Sequence, residues 1–115
     1  MASTFKNAGI TVPVVDTSAG NLFTAGASAT AVIHALYISN KSTSASATVN
    51  VKVTTDGGST FYHIGKSLEV PPNNTLTLDK PVNLEANDIV RVVADANPDS
   101  SSVDVEAYAS ILELT

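Results

Sequence analysis

The sequence contains no cysteine and no tryptophan. The first absence removes disulfides, thiolate nucleophiles and cysteine-based zinc sites together. Packing, hydrogen bonding and any partner subunit must hold the fold. The second weakens a reading as a sugar-stacking platform. Charge is also scarce, at 15% of residues, where about a quarter is usual. Serine, threonine and asparagine take its place, and a surface so poor in charge repels copies of itself only weakly. Basic residues are fewest: six Lys and Arg against eleven Asp and Glu give a formal charge of -5. Lys6, Lys41, Lys52, Lys66, Lys80 and Arg91 are scattered singly, so no nucleic-acid partner is expected. No apolar run approaches the ~20 residues of a membrane span, and Met1 to Lys6 shows no basic segment followed by an apolar one. Neither membrane insertion nor a secretory signal is expected.

What is present is alternation. In Ala47–Val53, Val49, Val51 and Val53 share one face, with Thr48, Asn50 and Lys52 on the other, the period of a half-buried strand. Val32–Asn40 is apolar on both sides, as a central strand would be, and Ser42–Ser46 predicts a hairpin joining the two. Asp56-Gly57-Gly58 is the clearest turn. A strand follows over Thr60–Val70, with Gly65 marking a bulge or kink. Pro71-Pro72-Asn73-Asn74 stops it. Leu76 and Leu78 form a short strand that Pro81 interrupts before Val82 and Leu84. Turns at Glu85–Asp88 and Asn97–Ser102 flank a strand over Ile89–Ala94, and Val103–Leu114 closes the chain. Ile10–Val15 and Leu22–Thr24 add β-type runs at the start. The whole of residues 1–115 thus predicts one all-β domain, a single antiparallel β-sandwich of about eight strands, jelly-roll or immunoglobulin-like, with no significant helix.

Catalytic signals are missing, and no enzyme is expected. His34 and His63 are the only histidines and lack a third residue at metal-ligand spacing. The serines lie in turn-forming contexts without a nucleophile elbow. Asp56, Asp79 and Asp88 sit at turns or strand ends, where backbone chemistry explains them. No cofactor or metal is expected, although Asp95, Asp99 and Asp104 flank a serine-rich loop that calcium would be the ion to occupy. Asn40-Lys41-Ser42 and Asn73-Asn74-Thr75 fit the glycosylation sequon. Phe61 and Tyr62 follow the Gly-Gly turn; as an aromatic pair at a loop tip they would suit sugar stacking, but the favoured reading turns one ring into the core and lays the other on a sheet face.

The order TFKNAGITV, AVIHALYISN, ATVNVKVT, YHIGKSLEVPPNNTLTLDKPVNLEANDIVRV and ASILEL resembles a group of short structural proteins of tailed bacteriophages. The resemblance runs from Phe5 to Leu114 and rests on turn and core motifs. It implies a virion β-sandwich made in the host cytoplasm. Most expected is a capsid decoration (cement) protein that stabilises the outer capsid surface as a homo-oligomer, commonly a trimer, with the major capsid protein as partner. The alternatives are a neck or tail-fibre accessory and a host-surface carbohydrate-binding module. Candidate partner-binding residues are Phe5, Ile10, Val12 and Val14, on an N-terminal arm or edge strand over residues 1–15, then Phe61 and Tyr62, and finally Leu112 and Leu114, where the closing strand is apolar on both faces. An arm of that kind predicts that its removal leaves the sandwich folded.

Overall fold

A computed structural model describes residues 3–95 and 104–115. The expected turn over Asn97–Ser102, with Asp99 and Val103, lies outside the described residues. Nine strands lie among the described residues: β1 (Ser3–Thr11), β2 (Asn21–Thr24), β3 (Thr30–Asn40), β4 (Ala47–Thr54), β5 (Phe61–Val70), β6 (Asn74–Leu78), β7 (Val82–Leu84), β8 (Ile89–Ala94) and β9 (Val105–Leu114). The one helical turn among the described residues is a 3-10 turn at Ser18–Gly20, capped by the Thr17 side chain. Two antiparallel sheets result, β1-β9-β3-β6 with β7 also on β3, and β2-β8-β4-β5.

The pairing is nested. The first strand meets the last, β2 meets β8, β3 meets β6 and β7, and β4 meets β5. Strands β6 and β7 lie along the same edge of β3 and are one strand broken at Asp79-Lys80-Pro81, because proline cannot donate to the ladder. Eight strands wrapped as one long folded hairpin make a jelly roll, and the immunoglobulin-like order is not the one found.

Strands β3 and β4 fall in different sheets, so the hairpin expected across Ser42–Ser46 does not form. Strand β3 pairs instead with β9, far along the chain, and the segment after Asn40 arches from one sheet to the other. Asn40 holds that arch. Its Nδ2 donates to the carbonyls of Ala45 and Val70, and its Oδ1 accepts from the Ser42 amide. With Asn40 buried in this way, the first glycosylation sequon has no accessible acceptor.

The core lies between the sheets. Ile33, Leu36 and Ile38 of β3 and Ala107, Ala109 and Ile111 of β9 face Val49 and Val51 of β4 and Val90 and Val92 of β8. A bulge in β3 turns both His34 and Ala35 outward, and a second one in β5 falls at Gly65 as expected. The Asn50 side chain accepts from the Ser67 amide beside that second bulge.

The β4–β5 hairpin keeps its loop by side-chain bonding. Asp56 Oδ1 accepts from Thr54 Oγ1 and from the amides of Ser59 and Thr60, while Thr54 Oγ1 accepts from the Gly58 amide. The Thr60 amide, followed by the Thr54 hydroxyl, draws the Asp56 carboxyl down to about 2. A depressed pKa contributes stability above the unfolded value and loses it as pH falls through the folded one. Protection of the Thr55–Thr60 loop amides against exchange, taken relative to their intrinsic rates, should therefore fall between about pH 4 and pH 2, and Asp56→Ala should show the low protection already at pH 7.

Gly20 sits where the chain crosses close to β8, and a Cβ there would stand 2.7 Å from the Val92 carbonyl oxygen. Backbone cannot yield as a side chain end can. Gly20→Ala should lower the unfolding free energy by about 2 kcal/mol, read by urea denaturation.

Candidate interaction surface

Each sheet turns one face to the core and one outward, and the two outward faces differ in kind. On the β2-β8-β4-β5 sheet the outward side chains are polar and paired. Asp16, on the connection from β1 to β2, binds both Lys52 of β4 and Arg91 of β8. Its carboxyl is held below the usual range, chiefly by Lys52, with Arg91 adding to the effect. Both cations also lie over the Phe61 ring, Arg91 at 4.3 Å and Lys52 at 5.3 Å from its centre. Asn50 and Asp95 bond at 3.0 Å. The Pro13 carbonyl accepts from the Ala94 amide, tying the same connection down.

The outward face of the β1-β9-β3-β6 sheet is nearly free of charge and sets aromatic and aliphatic side chains among serine, threonine and asparagine. In β9 the small residues Val105, Ala107 and Ala109 point inward with Ile111, so Glu106, Tyr108, Ser110, Leu112 and Leu114 point outward. Register then builds two rows across three strands. Phe5, Leu112 and Val32 form one, and Gly9, Tyr108 and Tyr37 form the other. Phe5 is 83% exposed, Tyr108 45% and Tyr37 39%. The two tyrosine rings are tilted by 42° with centres 6.3 Å apart. Lacking a side chain, Gly9 leaves room beside Tyr108, and a depression of about 410 Å³ opens there, reaching Ser39 and Glu106. Glu106 is neutralised by Lys41 at 3.3 Å. Lys6 and Glu113 lie on the opposite side of their strands and pair at 2.6 Å. Lys6, then the Gly26 amide, lowers the Glu113 carboxyl.

Of the eight residues singled out in the sequence, Phe5, Leu112 and Leu114 come together on this face. Ile10 and Val12 do not. Ile10 packs against the core and Val12 is part of it, with its amide bonded to the Val105 carbonyl. The described part of residues 1–15, from Ser3 on, is therefore no free arm: β1 pairs with β9 over its whole described length, as an internal edge strand. Removing them would strip β9 of a neighbour and the core of Val12. Val14 is exposed, but beside Asp16 and Lys52 on the other sheet. Phe61 and Tyr62 point to opposite sides of β5, Phe61 under its two cations and Tyr62 61% exposed, so they do not form an aromatic pair.

The sequence reading missed Val32, Tyr37 and Tyr108. Tyr108 shares its parity with Leu112 and Leu114 and was open to the same argument. Tyr37 was not, because the bulge at His34 shifts its register. The two histidines lie on different sheets. Among the described residues no cluster of three or more His, Asp or Glu is placed to hold a metal ion. No helix there is long and apolar enough to cross a membrane.

No protein-family model matches the chain, and no curated protein sequence does. Solved structures match it in fold. A chain from the acid-stable capsid structure of Helicobacter pylori bacteriophage KHP30 superposes with a TM-score of 0.54 at 15% identity, over 100% of this chain and 89% of that one. The Drosophila NLP core gives 0.49 at 12% identity, over 93% and 96%. The globular domain of zebrafish complement 1qA gives 0.45 at 11% identity, over 96% and 92%. At such identities the first likeness establishes the fold: the chain is a jelly-roll β-sandwich of a kind also found in a bacteriophage capsid structure.

Proposed function

We propose that the chain is a virion structural protein, and within that class a capsid decoration protein that binds the outer capsid surface as a homo-oligomer and stabilises the shell. It works by burying surface against neighbours and carries out no chemistry. The observation that supports this most is the match in fold with a chain of a bacteriophage capsid structure, over 100% of this chain and 89% of that one. The scarcity of charge and the uncovered, nearly neutral sheet face with its exposed aromatic side chains suit a molecule whose partners are proteins. The carbohydrate-binding alternative has less behind it, since Phe61 is occupied by Lys52 and Arg91.

Particles assembled without the chain provide the test. Purified protein added to them should bind to a fixed stoichiometry relative to the major capsid protein and should raise the temperature at which the shell releases its DNA. Failure to bind shells of the virus that encodes it would refute the decoration role, and binding confined to necks or tails would replace it by the accessory reading.

A further inference from the structure

We infer that the outward face of the β1-β9-β3-β6 sheet is where copies of this chain meet, through the rows of Phe5, Val32 and Leu112 and of Tyr37 and Tyr108, with Leu114 beside the first. This deepens the homo-oligomer part of the proposed function and rests on it only for its biological setting.

Three observations select a second copy as the occupant. The first is charge. The chain carries a net -5, which sets up a weak repulsion between copies; contact through a neutral face avoids it. This face holds one carboxylate, Glu106, and Lys41 neutralises it. Approach through it buries few charged groups, whereas the other sheet would have to desolvate the paired Asp16, Lys52 and Arg91 together with Asp95.

The second is area. Four strands spaced ~4.8 Å apart and running about ten residues at ~3.4 Å give a face of roughly 600 Å², or about 1,200 Å² over two copies, the lower end of specific interfaces. Smaller contacts on this molecule would not reach it.

The third is the character of the patch. Phe5, Tyr37 and Tyr108 are three of the seven large hydrophobic residues exposed among those described, and all three stand on this face. Aromatic side chains flanked by Ser39, Ser110 and Thr75 match the anatomy of an interface core with a polar rim. The Ser39 and Thr75 hydroxyls are bonded to one another at 2.8 Å, so each keeps one partner when covered.

The test is the mass of the purified full chain by light scattering across a concentration series, for the wild type and three variants. Phe5→Glu and Tyr108→Glu place a charge on the face at exposed positions where folding does not depend on the ring. Tyr62→Glu does the same at an equally exposed site on β5, outside the face. The wild type and Tyr62→Glu should form a closed oligomer, and the other two should weaken association at least about a hundredfold, the effect of an unpaired charge desolvated in an interface. Circular dichroism on each variant confirms that the sandwich is folded. A wild type that stays monomeric at high micromolar concentration overturns the inference, as does an oligomer that Tyr108→Glu and Phe5→Glu leave intact or Tyr62→Glu abolishes. Capsid binding by a monomer would sink this inference and spare the decoration role. An oligomer that ignores capsids would do the reverse.

Discussion

Asn40→Asp should lower the unfolding free energy at pH 7 by about 4 kcal/mol, and Asn40→Ala by about 3 kcal/mol. Asn40 is 2% exposed and uses its whole amide: two donations at 2.9 and 3.0 Å to the carbonyls of Ala45 and Val70, and one acceptance at 3.0 Å from the Ser42 amide. Alanine removes that partner from all three backbone groups, of which the Val70 carbonyl and the Ser42 amide are buried. Aspartate is worse, because an ionised carboxylate would face two carbonyl oxygens in place of an NH₂ group. Burial and those carbonyls raise the pKa of such an aspartate above its ordinary ~3.9. Below that value it is neutral in both folded and unfolded chains, and its hydroxyl can donate to one carbonyl. The deficit therefore grows as pH rises from about 4 through the folded-state value. Thermal unfolding at pH 7 should place the aspartate variant lowest, some 15 °C below wild type. At pH 3 it should equal or exceed the alanine variant. Equal midpoints for the two variants at both pH values would show that the arch between the sheets does not depend on this amide.

Ile38→Ala should cost about 3.5 kcal/mol, against about 1 kcal/mol for Ile10→Ala. Both residues are isoleucines on strands of the same sheet. Ile38 is fully buried in β3, with Leu76 of β6 on one side and Ala107 of β9 on the other. Strands on both sides prevent the site from collapsing around a lost side chain. Ile10 is half-buried on the edge strand β1, where neighbours can shift and water already reaches. Urea unfolding with unchanged denaturant slopes would measure the difference cleanly. Equal costs would mean that β1 is as deeply packed as β3, contrary to its exposed pattern.

Much of this architecture was legible in the sequence wherever the determinant is local. Asp56-Gly57-Gly58 announced the β4–β5 hairpin because glycine accepts the positive φ found at both positions, 81° and 115°. The Glu85–Asp88 turn was equally clear, and Asp88 bonds back to the Glu85 amide at 2.8 Å. Pro81 marked the break between β6 and β7. Pairing between distant strands was not legible. Ser42–Ser46 is a polar loop of hairpin length, and only the tertiary preference of β3 for β9 shows that it crosses between sheets. Nothing local distinguishes those two outcomes.

The working face was half legible, for a related reason. Alternation separates Tyr108, Leu112 and Leu114 from Ala107, Ala109 and Ile111, but it does not say which set is inside. The larger side chains would ordinarily be assigned to the core. Here the valines of β4 and β8 fill the space between the sheets and β9 contributes small residues there, so its bulky side chains are left facing outward. Glu113 points inward at the end of that strand because Lys6 and the Gly26 amide receive it. Size alone therefore misleads, and the packing of the opposite sheet decides. Val12 shows the same thing from the other side, since its run suggested an arm and its neighbours make it core.

A reconstruction of the particle encoded with this chain tests the central claim most directly. Jelly-roll density is expected on the outside of the shell, repeated in register with the capsid lattice, with the faces bearing Phe5, Tyr37 and Tyr108 turned toward one another between copies. A shell bare of such density, in particles whose protein content includes the chain at no more than trace level, would contradict it.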